Sequence, residues 1–500
     1  MGGILSRSKY MTEIPDIPKC MSTQHPDNVH LPFFAANSQL GGGEDEVQEA
    51  YYIYSHLGCR EQMWDCEGKE VDNFVVKKLL SKYGTYFSEK QLGKDLFLTL
   101  RVPNPEVEKA EAKILLESLE SIPRSFDVAH LFYGNDNPPI FEVILPMTSS
   151  FASIDNIYQY YRDFVVGQQY KRLGGRNLTI AQWIGDFKPD RINVIPLFED
   201  MESLLNVKKI VGRYLQDKDL AYQRVFLARS DPAMNYGLIG AILLNKIALK
   251  QLHELSVETG VPIFPIIGVG SAPFRGNLRP DTVERTIAEY PSVHTFTIQS
   301  AFKYDYSPDE VKSAVAKLEE RNVEVPHDID EKRSIQIIQK CTQEFKREIA
   351  NLSDIINRVS VSVPARRKRK LHVGLFGYSR NNDGIHLPPR AITFTSTLYS
   401  IGIPPEILGI GTLSDDDIDF VRDIYVNFDA DLKDALRYLN PDSRYLPEGI
   451  TARVHNLVDF EIDEEHREIS NEIISLLDKG NSEDLRANIL RAAAIRKFIG

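Results

Sequence analysis

The sequence predicts an α/β fold: a TIM-type (β/α)8 barrel with additional helices and a helical C-terminal region. Three observations predict it. Short runs rich in Val, Ile, Leu and Phe recur along the chain, as strands buried in a parallel sheet do. Helical stretches separate many of these runs, and such alternation is typical of parallel sheets and barrels. With about eight runs at this spacing, closure into a barrel is favoured over an open sheet.

The predicted strands share an apolar character and turn residues at their ends. They lie near 96–102, 128–133, 140–145, 193–198, 224–230, 262–267, 294–299 and 372–377, with a further short strand near 63–65. The predicted helices lie at 44–56, 105–121, 153–172, 202–216, 236–259, 281–290 and 308–321, and then at 413–440 and 460–498. We therefore expect a single domain over 1–500, with a barrel core at about 60–410 and a helical extension at about 411–500.

Composition narrows the class of protein. The chain has 500 residues, with 59 basic against 71 acidic side chains and a net charge of −12, which argues against nucleic acid as the main partner. Its 4 cysteines form no C-x-x-C pair, and few cysteines in a long chain fit a reducing compartment. No run approaches the roughly 18 apolar residues of a membrane span. We expect a cytoplasmic protein without a membrane partner.

Two of the predicted strands end at a carboxylate. The run 194–198 is followed by Glu199, and the run 225–230 is followed by Asp231. In α/β folds ligand chemistry lies at the carboxyl ends of the strands, and carboxylate oxygens suit a hard cation such as Mg²⁺ or Mn²⁺. Either acid alone is explained as readily by a helix start, where Asp and Glu are common. With the residues described next, the pair predicts a divalent-cation site.

A histidine lies in an unusual polar segment near the start of the chain. His25 occupies the middle of Ser-Thr-Gln-His-Pro-Asp-Asn at 22–28. A ring held beside proline and small polar groups has a restricted orientation, and a neutral imidazole can take a proton near physiological pH. On its own, a structural histidine is the more common explanation.

Four arginines stand at or just beyond the ends of predicted strands. They are Arg101, Arg275, Arg380 and Arg390. Arginine is the usual residue where a carboxylate or phosphate is held at two points, so we expect the four to converge on one anionic ligand. Each alone could be a surface salt bridge. The basic run 366–370 resembles a nuclear localisation signal, but its place just before a predicted strand favours a solvated loop or a rim that attracts anions.

Six motifs together resemble the archaeal-type phosphoenolpyruvate carboxylases, and the resemblance covers essentially the whole chain. The motifs are STQHPDN at 22–28, MWDCEGK at 63–69, VIPLFED at 194–200, ARSDPAMNYG at 228–237, GVGSAPFRG at 268–276 and LPPRAITF at 387–394. The resemblance implies a carboxy-lyase that converts phosphoenolpyruvate and bicarbonate to oxaloacetate and phosphate, through carboxyphosphate and a metal-bound enolate. Such a reaction fixes carbon dioxide and supplies oxaloacetate to the tricarboxylic acid cycle. It also implies a homotetramer that uses Mg²⁺ or Mn²⁺.

The same resemblance assigns roles to individual residues. It makes Glu199 and Asp231 the metal ligands and His25 and Arg275 catalytic residues. The substrate-binding residues that it implies are Arg101, Arg275, Arg380, Arg390 and Gln299. The longer bacterial and plant carboxylases carry two arginines in a mobile glycine-rich loop. The segment 268–277 has one, so either role is open for Arg275, and the segment is expected to act as a lid.

Two other functions fit part of the pattern. One is a metal-dependent barrel lyase of the citrate-lyase or malyl type, which also uses a strand-end Glu and Asp but acts on acyl-CoA thioesters. The other is a non-catalytic regulatory protein that binds a phosphorylated metabolite on a barrel scaffold. Cleavage of acyl-CoA would favour the first, and absence of metal-dependent turnover would favour the second.

Overall fold

Eight parallel strands form a closed barrel in chain order, as the sequence predicts. The computed structural model describes residues 14–35, 37, 39–66, 72–109, 112–175, 177–368, 389–479 and 482–500. The strands are β1 (Cys20–Ser22), β2 (Glu61–Asp65), β3 (Phe97–Arg101), β4 (Glu142–Leu145), β5 (Asn193–Phe198), β6 (Gln223–Ala228), β7 (Ile263–Gly268) and β8 (Thr295–Ile298). Pairing of β1 with both β2 and β8 closes the barrel.

Helices connect the strands and continue beyond the last of them. They are α1 (Glu44–Tyr52), α2 (Val75–Lys82), α3 (Gly84–Glu89), α4 (Ala112–Tyr133), α5 (Phe151–Tyr160), α6 (Ile180–Ile184), α7 (Met201–Leu205), α8 (Val207–Leu215), α9 (Ser230–Thr259), α10 (Val283–Glu289), α11 (Ser300–Tyr304), α12 (Pro308–Glu320), α13 (Glu331–Ser360), α14 (Ala391–Ser400), α15 (Asp415–Ile424), α16 (Phe428–Leu436), α17 (Ile450–Leu457), α18 (Glu464–Lys479) and α19 (Ser482–Arg496). Short π-helical or 3-10 turns occupy Ile53–Leu57, Tyr161–Val166, Gly167–Tyr170, Pro273–Arg275 and Pro405–Ile407. No helix in the described ranges has the length and apolarity needed to cross a membrane.

Alternation along the strands separates two parts of the core. On β5, Ile195 and Leu197 belong to a small apolar cluster inside the barrel. Val194 and Phe198 belong to the larger cluster between the barrel and its helices. Because neighbouring side chains on a strand point to opposite faces, the residue after Phe198 returns to the barrel interior. The apolar strand sequence therefore also determines which polar residues at the strand ends face inward.

The strand predicted at 128–133 is wrong, because these residues are the last turns of α4. Phe126 and Ala129 are buried there, whereas Leu131 is 87% exposed, so the run has one buried helical face. A short apolar run does not by itself distinguish a strand from a buried helix. Strand β1, only three residues long, was not predicted. The strand predicted at 372–377 lies outside the described residues.

The barrel occupies an earlier part of the chain than the predicted core of 60–410. Its eight strands lie between Cys20 and Ile298. The helices that follow include α13, which packs along α9, and the predicted helical C-terminal region, which contains α15 to α19. The treatment of 1–500 as a single domain stays a prediction.

Candidate active site

A cavity of about 590 Å³ opens at the carboxyl ends of the barrel strands. It is lined by seven of the predicted site residues: His25, Arg101, Glu199, Asp231, Arg275, Gln299 and Arg390. The eighth, Arg380, lies outside the described residues. The apolar floor of the cavity includes Met63, Leu197 and Phe226 from the barrel interior.

The alternation of the strands brings three of these side chains to the cavity. Leu197 and Glu199 share the inward face of β5 and its extension. By the same alternation, Arg101 lies on the same strand face as Thr99, and Gln299 lies on the same face as Thr297. Arg101, Glu199 and Gln299 thus continue the inward-facing register of the strands.

His25 lies just beyond β1, in backbone that continues the pairing with β8. The amide of Thr23 donates to the carbonyl of Ile298 at 3.0 Å, and the His25 carbonyl accepts from the amide of Ser300 at 3.1 Å. The Nδ1 atom of His25 is 2.9 Å from Thr23 Oγ1. The half-buried ring is therefore held from both its backbone and its Nδ1 edge, which is the geometry that a proton-accepting histidine needs.

Arg275 is buried and makes hydrogen bonds through all three of its guanidinium nitrogens. Nε donates to Ser230 Oγ at 3.1 Å, and Nη2 donates to Gln299 Oε1 at 2.5 Å. Nη1 donates to the main-chain oxygen of Gly500 at 2.6 Å and lies 3.3 Å from Asp27 Oδ2. These contacts fix the guanidinium plane.

The segment that contains Arg275 is packed into the protein. Residues 269–275 are buried, and Gly268 and Arg275 line the cavity. Burial lowers the pKa of Arg275, while the carboxylates of Asp27 and Asp231 oppose that shift. The guanidinium remains a cation at any working pH. A lid movement of 268–276 stays a prediction.

Two carboxylates, Glu199 and Asp231, line one side of the cavity. Glu199 is 8% exposed, and its Oε1 accepts a long hydrogen bond of 3.4 Å from the amide of Met147. Asp231 is half-buried in the first turn of α9. In the described part of the chain, no cluster of three or more His, Cys, Asp or Glu is arranged as a metal site. Two carboxylates nevertheless fit Mg²⁺, which usually keeps several waters and takes one or two carboxylates together with substrate oxygens.

Two further arginines line the cavity. Arg101 ends β3, and its Nη1 is 3.1 Å from Asp65 Oδ1. Arg390 stands immediately before α14 and is half-buried. With Arg275, they place three of the predicted arginines around one volume, and binding of an anion there stays a prediction.

Two residues of the basic run 366–370, Arg366 and Arg367, also line the cavity. A solvated loop is wrong for the buried Arg367, and a rim that attracts anions stays a prediction. Arg367 is 4% exposed and pairs with Glu46 and Glu49 at 2.7 and 2.8 Å. Arg366 donates from Nε to the carbonyl of Asn28 at 3.3 Å. A basic run in an acidic chain was the available signal, but its ion-pair partners are about 320 residues away in sequence and no local pattern reveals them.

Comparison with known proteins gives a consistent result. A family model described as "Phosphoenolpyruvate carboxylase" matches residues 17–500. The phosphoenolpyruvate carboxylase of Methanospirillum hungatei is 62% identical over 484 residues, which are 97% of this chain and 100% of that protein. That of Methanothermobacter thermautotrophicus is 56% identical with the same coverage. Among solved structures, an HpcH/HpaI aldolase from Desulfitobacterium hafniense aligns at 14% identity and a TM-score of 0.31, over 57% of this chain and 86% of that chain.

Proposed function

Because the chain belongs to the phosphoenolpyruvate carboxylase family and is therefore a carboxy-lyase, we propose that the cavity at the barrel carboxylates phosphoenolpyruvate with bicarbonate. The products are oxaloacetate and phosphate. One observation carries the assignment to this cavity: two carboxylates, three arginines and a histidine from separate parts of the chain line the same volume.

The reaction requires stabilisation of two kinds of negative charge. Bicarbonate oxygen attacks phosphorus, which breaks the bond between phosphorus and the enol oxygen and gives carboxyphosphate and the enolate of pyruvate. Carboxyphosphate then breaks to carbon dioxide and phosphate, and the enolate carbon attacks carbon dioxide. Charge therefore develops on the enolate oxygen and on the migrating phosphoryl group, and fixed groups aimed at these positions lower the barrier.

Glu199 and Asp231 are the proposed ligands of Mg²⁺ or Mn²⁺. A bound divalent cation supplies a Lewis acid for the enolate oxygen. Glu199 directly follows β5, and Asp231 lies in the first turn of α9, which follows the adjacent strand β6, so both acids are anchored to the barrel. Placement on rigid elements is what a precise metal site needs.

Arg275 and Arg390 are the proposed ligands of the phosphoryl group, and Arg380 is proposed to join them. Phosphoryl transfer is catalysed mostly by positioning and by cationic groups around the equatorial oxygens. The buried Arg275 is held in place by Ser230 and Gln299 before any ligand binds. Arg101 is proposed to hold the substrate from the opposite side, beside Asp65.

His25 is proposed to take the proton of carboxyphosphate, so that carbon dioxide is released beside the enolate. Its Nδ1 edge is engaged by Thr23 at 2.9 Å, which orients the ring. The apolar floor of the cavity, which includes Phe226 and Leu197, limits access of water to the enolate. Protonation of the enolate by water would give pyruvate instead of oxaloacetate.

We also propose a cytoplasmic homotetramer. Support for association comes from large exposed apolar side chains on neighbouring turns, with Phe164 at 59%, Tyr170 at 69% and Trp183 at 65% exposure. Light scattering of the purified protein should give four times the mass of one chain. A mass of one chain at micromolar concentration would reject the tetramer.

The first experiment is formation of oxaloacetate from phosphoenolpyruvate, coupled to NADH oxidation by malate dehydrogenase. We expect NADH loss that requires both bicarbonate and a divalent cation. Folded protein that gives no signal with Mg²⁺ or Mn²⁺ would reject the carboxylase. An assay of acyl-CoA cleavage with the same preparation tests the lyase alternative.

A further inference from the structure

Two acidic and two basic side chains form a buried cluster beside the His25 segment. They are Glu46 and Glu49 of α1, Lys303 of α11, and Arg367. Each of the four side chains is at most 1% exposed. Arg367 pairs with Glu46 at 2.7 Å and with Glu49 at 2.8 Å, and Lys303 Nζ is 3.4 Å from Glu49 Oε1. The charges balance, as burial of ionised groups requires.

The cluster bonds directly to the residues that precede His25. Lys303 Nζ donates to the Thr23 carbonyl at 2.8 Å and to Ser22 Oγ at 3.1 Å. Glu49 Oε2 accepts from Gln24 Nε2 at 3.3 Å. The amide oxygen of Gln24 in turn accepts from the last amide of β2 at 3.1 Å. The backbone between β1 and His25 is therefore held by buried charged groups on one side and by a strand on the other.

The hydrogen bonds continue to the imidazole ring. Thr23 Oγ1 is the partner of His25 Nδ1, and the carbonyl of the same threonine accepts from Lys303. The group that engages one ring nitrogen decides how the other is presented. Displacement of Thr23 would therefore rotate or shift the ring of His25, although Lys303 is not among the cavity-lining residues.

Burial and neighbouring charges shift the pKa values of both Glu49 and Lys303. Burial raises the pKa of Glu49, but Arg367 and Lys303 lower it further, to about 2. Burial lowers the pKa of Lys303, and Glu49 opposes that shift. An ammonium group donates three hydrogen bonds and accepts none, which matches the three oxygen partners of Lys303.

We propose that Lys303, supported by Glu49, is a positioning residue that holds Thr23 and thereby orients the ring of His25. Lys303 and Glu49, which are not among the cavity-lining residues, set where the proton acceptor lies. Loss of Lys303 should therefore impair the conversion of carboxyphosphate and the enolate to oxaloacetate more than the affinity for phosphoenolpyruvate. This inference rests on the proposed function and on the role given there to His25.

The test compares Lys303→Met with Lys246→Met. Lys246 is a matched control because it is also buried, on α9, and also pairs with a buried carboxylate, Glu289, at 2.7 Å. It donates to the Glu289 carbonyl and contacts His327, so its bonds lie away from His25. Each change removes one buried cation, but Glu49 keeps Arg367 in Lys303→Met whereas Glu289 loses its paired lysine in Lys246→Met. The loss of thermal stability in Lys303→Met should therefore be no larger than in Lys246→Met.

For Lys303→Met we expect kcat for oxaloacetate to fall about 10²-fold, the usual cost of a 1 Å misplacement. The KM for phosphoenolpyruvate should change by less than about 3-fold, and the fraction of cleaved phosphoenolpyruvate that appears as pyruvate should rise. Lys246→Met should keep the wild-type kcat and the wild-type ratio of oxaloacetate to pyruvate.

Two results with Lys303→Met would overturn the inference. One is a wild-type kcat and product ratio, and the other is a change confined to KM. If Lys303→Met does not fold, Gln24→Met removes a link of the same network without removing a charge. A wild-type product ratio in Gln24→Met would then overturn the inference, and an increased pyruvate fraction would support it. Absence of oxaloacetate from the wild-type protein would instead overturn the proposed function, and this inference with it.

Discussion

His25 is the residue whose replacement should separate the two halves of the reaction. We expect His25→Asn to keep bicarbonate-dependent cleavage of phosphoenolpyruvate while most product appears as pyruvate, since the enolate is formed but carbon dioxide is not released beside it. Oxaloacetate and pyruvate can be measured in parallel with malate and lactate dehydrogenases. A full oxaloacetate yield would reject the role of His25. His30→Asn is a suitable control because His30 is an exposed residue paired with Asp305 and does not line the cavity.

The two carboxylates should control the dependence on metal. Glu199→Gln and Asp231→Asn keep the size of each side chain but remove its charge, so activity should fall about 10²-fold or more and a higher Mg²⁺ concentration should be needed. Titration of activity with Mg²⁺ measures both effects. The control is Glu202→Gln, an exposed acid three residues after Glu199. An unchanged Mg²⁺ titration in both site variants would reject the proposed metal ligands.

Residues at strand ends could be predicted, whereas residues that support them could not. Glu199 follows an apolar run that identifies its strand, so its place at the carboxyl edge follows from sequence. Lys303 carries no such signal, because its partners Thr23 and Glu49 lie 280 and 254 residues away. Only the closed barrel brings them together. Pairings between distant parts of a chain are what a single sequence does not contain.

At the scale of elements, the turn that carries Arg275 depends on Gly276. This glycine has a φ of 122°, and an added Cβ would lie 2.5 Å from Val269 Cγ1. Gly276→Ala should therefore displace the turn and lower kcat/KM about 10-fold or more, as measured by the coupled assay.

The matched control for that change is Gly260→Ala. Gly260 ends α9 with a φ of 70° and has open space around it. Backbone strain without a clash should cost about 1–3 kcal/mol in stability and leave kcat/KM unchanged. Equal losses of kcat/KM in the two variants would show that the turn does not position Arg275.

A buried acid behind the same turn should make stability depend on pH. Glu406 accepts from the Phe274 amide at 2.5 Å and from the Tyr399 hydroxyl at 2.6 Å. Burial raises its pKa from 4.5 to about 7, although these hydrogen bonds lower it in part. The folded chain thus favours the protonated acid. Glu406 therefore stabilises the folded state fully below about pH 4.5, and this stabilisation is lost as the pH rises through 7.

Glu406→Gln stays neutral at every pH, so it should gain stability relative to wild type as the pH rises from 5 to 8. The gain should be on the order of 2–3 kcal/mol. Thermal unfolding at several pH values measures it, with the exposed Glu320→Gln as control. A constant difference in melting temperature across this range would contradict the assignment.

Elements were predictable where their sequence pattern was long. The six-residue strands β5 and β6 appear as unmistakable apolar runs. Strand β1 is a Cys-Met-Ser tripeptide, too short for any periodicity, and it is a strand because β2 and β8 pair with it. The apolar run at 128–133 failed for the opposite reason, since a buried helical face and a strand give the same short pattern.

At the scale of the whole molecule, the two ends of the barrel have different tasks. Far from the cavity, Arg224 is fully buried between Glu61 and Glu142, at 2.7 and 2.8 Å. Arg224→Met would leave two buried carboxylates unpaired and should destabilise the fold by about 3–5 kcal/mol, as measured by urea unfolding. The KM of the remaining folded enzyme should not change.

An exposed ion pair provides the control for that prediction. Arg491 pairs with Glu472 at 3.2 Å, and both side chains are 54% exposed. Arg491→Met should change stability by less than about 1 kcal/mol. A large increase in KM for Arg224→Met would show that the far end of the barrel also shapes the cavity.

The seam between β1 and β8 has a consequence for synthesis of the enzyme. Its register pairs Cys20 with Phe296, so β1, the first strand to be synthesised, can pair on that side only after β8, the last, has been synthesised. The His25 segment continues this seam, through the bond from Thr23 to Ile298. A nascent chain therefore has its proposed metal ligands before it has an oriented proton acceptor. On the proposed role of His25, oxaloacetate therefore forms only after the barrel has closed.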